Sequence, residues 1–212
     1  MRRVYLDHIA ATPLHPEVLE AMRLCLRDVT GNPQSLHAEG RRALDAVEAA
    51  REEVAGLVGA QSSEIYFTSS GTEANNFAVK GLALGQQARG RHVVVSAIEH
   101  SSVLNSVKTL EKQGFSATLV PVDRFGRVDP ADIEKALTKE TVLVSVMTAN
   151  SEVGTVQPVA AVAVICRSRG ILVHTDAVAA AGSIPLDVKA LGVDALSLAG
   201  DQFYGPKGSA AL

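Results

Sequence analysis

Short apolar runs bounded by turn residues alternate with amphipathic helical patterns along nearly the whole chain, and this alternation constrains the fold more than any other feature. The runs Glu64–Phe67, His92–Ala97, Ala117–Pro121, Val142–Thr148, Ile171–Thr175 and Asp194–Leu198 read as strands. Helical patterns fall between them near 73–86, 101–113, 130–138 and 158–169, and two earlier ones lie near 16–28 and 38–58. Asp129-Pro130 ahead of ADIEKAL is a helix start, because aspartate caps the free N–H groups and proline fits the first turn. In the 38–58 pattern, Leu44, Val47, Val54, Leu57 and Val58 are expected on the buried face, with Glu48, Arg51 and Glu52 turned away. Strand–helix alternation of this kind predicts an α/β fold, a mostly parallel sheet covered by helices on both faces. The closing residues GSAAL read as the start of a strand, and part of the fold is expected to lie outside this chain.

Charge and composition narrow the function classes. A net charge of -3 over 212 residues, with no Trp, gives neither a basic footprint nor a stacking platform for nucleic acid. No apolar run is long enough for a membrane span, and MRRVYLDHIAATP is not a signal peptide. Cys25 and Cys166 sit far apart in helical apolar patterns, where buried structural thiols are expected, and suit a reducing, cytoplasmic setting.

Polar clusters fall where the predicted strands end. FTSSGTEANN (67–76) follows a strand and opens a helix, so Ser70, Gly71 and Thr72 present N–H groups and hydroxyls of the kind that favour an anion. The same residues also begin ordinary helices. AIEHSSV places His100 just after a strand, where open α/β sheets bind ligands, although a satisfied loop histidine reads the same way. ANSEVGTVQP crowds Asn150, Glu152 and Gln157 at the end of the most apolar strand, as ligand groups or as turn formers. HTDAVAAAG sets Asp176 at another strand end, able to cap a helix or to pair with a cation. There is no GxGxxG and no Walker sequence, so dinucleotide and nucleoside triphosphate readings lack support.

In order and spacing, YLDHIAATPLHPEV, GNPQSLHAEGR, FTSSGTEANN, SAIEHSSV, ANSEVGTVQP, HTDAVAAAG and FYGPKG resemble the successive motifs of cysteine desulfurases of the NifS/IscS type, a class V branch of the aminotransferases. The resemblance runs nearly from Met1 to Leu212 and corresponds to the N-terminal half of a family chain. It implies the large domain of the pyridoxal phosphate (PLP) fold type I over 16–212, preceded by an N-terminal arm over 1–15, and lacking the small C-terminal domain. Family members hold PLP as a Schiff base to a lysine, and a cysteine on a distant loop takes sulfur from substrate cysteine. By resemblance, Gly71 and Thr72 meet the cofactor phosphate, His100 stacks on the ring, Asn150 lies near its hydroxyl and Asp176 pairs with the pyridine nitrogen.

The resemblance breaks where the family usually reads SGHKFYGPKG and this chain reads AGDQFYGPKG. Gln202 occupies the Schiff-base lysine position, Asp201 that of a phosphate-contacting histidine, and Ala199 that of a serine. Ala179 stands where related sequences carry a ring-contacting glutamine, and Ser151 where a second asparagine is common. Lys207 belongs to the unchanged GPKG stretch and reads as structural. Two functional expectations follow: a degenerate desulfurase-like protein of sulfur transfer or iron–sulfur metabolism, or an enzyme that holds PLP noncovalently or is completed by a partner chain. The resemblance also implies a homodimer or a partner carrying the missing half, with a sulfur acceptor or scaffold protein as a further partner.

Overall fold

The computed structural model describes residues 4–212; the first three residues of the expected N-terminal arm lie outside the described residues. Seven helices and seven strands follow one another as α1 (Pro16–Asp28), α2 (Ala38–Val58), β1 (Phe67–Thr68), α3 (Gly71–Gly85), β2 (His92–Ser96), α4 (Ser101–Glu111), β3 (Ser116–Val120), α5 (Pro130–Ala136), β4 (Thr141–Ser145), α6 (Val159–Arg167), β5 (Leu172–Asp176), α7 (Val188–Leu191), β6 (Ala195–Ala199) and β7 (Ala210–Ala211). They build one seven-stranded sheet in the order β1-β7-β6-β5-β4-β2-β3. The run from β6 to β3 is parallel, and β7 is antiparallel to both β6 and β1. This is the expected α/β architecture.

The sheet is buried on both faces, which is why its strands read as continuous apolar runs rather than alternating ones. Val94, Val120, Val144 and Val173 pack with Ile133 of α5 and Val162 of α6 in one core. Val93, Val95 and Leu143 pack with Val79 of α3 and Val103, Val107 and Leu110 of α4 in a second. Successive valines of β2 thus serve opposite faces, as the twofold strand period requires. Asp129 caps α5 through the Ala131 N–H, with Pro130 in its first turn, as expected. No helix among the described residues is long and apolar enough to cross a membrane.

Three expectations need correction. The run Glu64–Phe67 is not a strand: Ser62–Glu64 form a single 3₁₀ turn and β1 starts at Phe67. The Glu64 carboxylate accepts the Gln61 N–H at 2.8 Å, and this local capping bond competes with strand pairing. The closing residues do enter a strand, as expected: β7 lies between β1 and β6, and Leu212 exchanges both backbone bonds with Tyr66.

On α2 the buried stripe is rotated from the expected one. Ala43, Ala55 and Val58 are buried, whereas Leu44 and Leu57 are 42% and 41% exposed. Arg51, expected outside, is half-buried, donates to the Ile65 carbonyl and stacks 5.0 Å over the Phe67 ring. Small residues face inward there because the helix lies close to the segment leading into β1, and the arginine stem covers the gap. Finally, Cys25 is exposed, because α1 buries no residue against the rest of this chain; Cys166 is buried as expected.

Candidate functional site

In a parallel sheet, ligands meet the carboxyl ends of the strands at the point where strand order reverses. Here β2 leads outward to β3 while β4 enters on its other side, so that point lies between β2 and β4. A cleft of about 620 Å³ opens along this edge. It gathers Gly71, Thr72 and Asn75 from α3, His100 after β2, Met147 and Ala149 after β4, Asp176 at the end of β5 with Ala179 beyond it, and Ala199 at the end of β6 with Asp201 and Gln202 beyond it. Four of the five proposed cofactor residues are therefore neighbours: Gly71, Thr72, His100 and Asp176.

Gly71 lets the start of α3 press against the strand ends. A Cβ there would lie 2.8 Å from Val178 Cγ2 and 3.3 Å from Ala199 Cβ, closer than a methyl tolerates. Ser70 caps the helix by accepting the Glu73 N–H at 3.1 Å. Glu73 in turn accepts from the Ser69 N–H at 2.7 Å and the Ser69 hydroxyl at 2.6 Å, and these bonds hold its carboxyl below the usual range. The positive end of α3 thus already faces a carboxylate of its own chain.

His100 combines a capping bond with a place in the cleft lining. It caps α4, its Nδ1 accepting from the Ser102 N–H at 3.2 Å, and it also lines the cleft. The Ser102 hydroxyl lies 2.7 Å from the same Nδ1 and accepts the Asn75 amide at 2.9 Å. Asn75 Nδ2 also donates to Asp176 Oδ2 at 2.6 Å, and Asp176 Oδ1 accepts the Val178 N–H at 3.0 Å. One chain of hydrogen bonds therefore joins the histidine to the aspartate. With Nδ1 acting as acceptor, the neutral imidazole carries its proton on Nε2. Burial pushes the Asp176 carboxyl above its ordinary value, opposed in part by the bonds from Val178 and Asn75.

Asn150 is not part of the cleft lining. Its Oδ1 accepts the N–H groups of Glu152 and Val153 at 3.0 and 3.1 Å, and its Nδ2 donates to the Ile98 carbonyl at 3.2 Å. The side chain is spent on a turn, as is Gln157, which bridges the Val128 N–H and the Gly126 carbonyl. The neighbours Ser151 and Glu152 do reach the cleft. Three participants escaped the sequence reading: Asn75, Ser102 and Glu99. The signal for Asn75 was an asparagine four residues after Gly71, on the same helix face in a position where asparagine is a poor helix former.

Glu99 lies beneath the cleft. It is 5% exposed; its Oε1 accepts from the Ser96 hydroxyl at 2.5 Å and the Met147 N–H at 2.7 Å, while Oε2 has no partner. Burial raises its pKa to about 8, and the nearby Asp176 adds to the shift. Among the described residues no group of three or more His, Cys, Asp or Glu is placed to hold a metal ion.

The residues present do not fit PLP held as the resemblance implies. Gln202 sits at the end of the 3₁₀ turn after β6 and donates its amide to the Ala10 carbonyl at 3.1 Å. A carboxamide nitrogen forms no imine, and among the described residues no lysine or arginine lines the cleft. Asp201 adds a carboxylate, while Ala179 and Ala199 offer no hydrogen bond.

The sequence model described as Aminotransferase class-V matches residues 4–212. The chain is 50% identical over 211 residues to "Cysteine desulfurase IscS" of Dictyoglomus turgidum, covering 100% of this chain and 54% of that protein. It is 48% identical over 212 residues to "Cysteine desulfurase, mitochondrial" of Drosophila melanogaster, covering 46% of that protein. A solved structure described as a NifS-like protein superposes with a TM-score of 0.95 at 42% identity, over 99% of this chain and 58% of the other. The chain thus spans about half the length of the curated relatives it matches.

Proposed function

The chain belongs to the class-V aminotransferase family, as a cysteine desulfurase-like member, and we propose that by itself it has no desulfurase activity. The observation that carries this reading is the amide at position 202, in a cleft that no lysine or arginine lines among the described residues. A desulfurase needs an amine to anchor its electron sink and a thiolate to take sulfur. Neither cysteine supplies the thiolate. Cys166 is buried, with its pKa raised to about 12 by desolvation, and Cys25 lies on α1, whose residues do not line the cleft. The same reading divides the chain into an arm over 1–15 and a large domain over 16–212; Ile9 and Ala10 of the arm reach the cleft, and Thr12 donates to the Asp201 carbonyl.

The test is chemical. Protein incubated with PLP and reduced with borohydride should yield, on peptide mapping, no pyridoxyl adduct on any cleft residue. L-cysteine should release no sulfide above a no-enzyme control, and Gln202→Lys should not change that. An adduct in the cleft, or sulfide from either protein, would overturn the reading.

We also infer that this chain associates, with a second copy or with a partner chain. α1 supports this: it has no buried residue and displays Leu19, Leu24 and Leu26, the last 79% exposed. An amphipathic helix without a packing partner is a poor monomer surface. A sulfur acceptor or scaffold protein is a further partner of the same proposal. Size-exclusion chromatography with light scattering should report a mass above 22.2 kDa at micromolar concentration. A clean monomer without a companion chain would refute the association.

A further inference from the structure

Five hydrogen bonds join the start of the chain to the turn that follows β6. The Thr12 N–H and the Thr12 hydroxyl both donate to the Asp201 carbonyl, at 2.8 and 3.0 Å. The same hydroxyl accepts the Tyr204 N–H at 2.6 Å. The His15 N–H donates to the Tyr204 carbonyl at 3.0 Å, and the Gln202 amide donates to the Ala10 carbonyl at 3.1 Å. Among the described residues these are all the hydrogen bonds between residues 4–30 and the rest of the chain, and no ion pair adds to them. No residue from Val4 to Glu39 is buried. The arm and α1 are therefore held by polar contacts at one place with almost no apolar packing, which puts them at the low-stability end of the molecule. The packed turn beyond α1 marks the pivot, since a Cβ at Gly31 would run into the Glu39 carbonyl.

Tyr204 adds a second observation. It is the one non-glycine among the described residues with a positive φ, 66°, a conformation that is costly for a bulky side chain. Such a residue persists where its surroundings over-determine it, and switch regions are a common place for that. Here its N–H and its carbonyl both bond to the arm, and its ring meets the His8 ring edge-on with centroids 6.5 Å apart. Asp7, Ile9 and Ala10 line the cleft, so the arm forms one of its walls.

We propose that residues 4–30 are a strap latched across the cleft by Thr12 and Gln202, and that release of this latch lets the strap swing away as one unit and opens the cleft. Gln202 is a positioning residue in this latch, its amide supplying the donor that the Ala10 carbonyl accepts. The inference goes beyond the functional reading above and does not depend on it, because the strap opens in the same way whether or not the cleft carries out chemistry.

Hydrogen–deuterium exchange of the full chain reads the latch. Peptides from 4–30 should exchange together, and faster than those of β2 and β4. Thr12→Val removes two of the five bonds and keeps the shape of the side chain. It should speed exchange over 4–30 about tenfold while β2 and β4 change less than about twofold, which also shows that the variant folds. Gln202→Met removes the remaining side-chain donor alone and should speed the same peptides about threefold. A thiol placed in the cleft, Ala179→Cys in a Cys25→Ser chain, should react with a bulky maleimide about fivefold faster once Thr12→Val is added. Cys166 is buried and stays silent. Exchange over 4–30 as slow as in the sheet, or a rise shared equally by strap and sheet, would overturn the latch. Faster exchange of the strap with an unchanged thiol rate would overturn the opening of the cleft.

Discussion

Glu99→Gln is expected to make the protein more stable at pH 9 and to remove most of its loss of stability above about pH 6.5. A carboxyl held at about 8 in the folded state, against 4.5 in its ordinary state, binds its proton more tightly when folded. Its contribution is therefore fully present below pH 4.5 and lost as pH rises through 8. The loss at alkaline pH is on the order of 3 kcal/mol after allowance for relaxation around the site. Glutamine carries no charge and still accepts from Ser96 and Met147 through its oxygen, with its amide in place of the unpartnered Oε2. At pH 5 the same variant should be slightly less stable than wild type, by about 1 kcal/mol, because the amide donors lack acceptors. The two curves should cross. Asp176, also raised by burial, leaves a residual slope of the same sign. Urea midpoints from pH 4.5 to 9 check this, and parallel profiles for the two proteins would show that Glu99 is ionised throughout.

His174→Ala should cost about 3–5 kcal/mol, the largest loss expected from a single polar side chain here. His174 is 0% exposed in the middle of β5, its Nδ1 2.8 Å from the Ser145 hydroxyl of β4 and its Nε2 3.0 Å from the Ser197 hydroxyl of β6. The ring therefore ties three parallel strands together side by side. Alanine leaves both a cavity and two serines without partners. Burial drives the His174 pKa down to about 3 from 6.5, so its stabilisation is present above pH 6.5 and lost as pH falls toward 3. Between pH 4.5 and 6.5 the slopes of His174 and Glu99 have opposite signs and nearly cancel, so stability should form a plateau there. The triple variant Ser145→Ala/His174→Phe/Ser197→Ala should recover much of the loss, since the orphaned groups are removed together. Denaturant unfolding at pH 6 measures both; a loss below 1 kcal/mol for His174→Ala would show that the strand tie is not built this way.

The sheet was legible because each parallel strand is buried on both faces and so leaves an unbroken apolar run in the chain. β2, β4 and β5 begin within a residue or so of the expected positions. β1 was misplaced because two residues of strand carry too little pattern to outweigh the Glu64 capping bond. The short α7 was missed for a similar reason: four residues held by the Asp187 cap and Gly192 show no helical period. The rotated face of α2 depends on how closely that helix approaches its neighbours, and nothing in its own residues specifies the distance.

The site divides in the same way. That Gly71, Thr72, His100 and Asp176 belong together follows from their places after successive strands, because a parallel sheet with right-handed crossovers brings every such end to one edge. That position 202 carries no amine is a fact of covalent chemistry and needs no coordinates. The sequence thus determined the family and the layering. Only the tertiary structure decided which polar residues face the cleft. Asn150 and Asn75 are chemically alike, yet one spends its amide on a turn and the other is left with a buried, unpartnered oxygen beside Asp176. Hydrogen bonds and desolvation depend on distances of a few ångströms between segments far apart in the chain, 101 residues for Asn75 and Asp176, and such distances are set only when the helices close on the sheet.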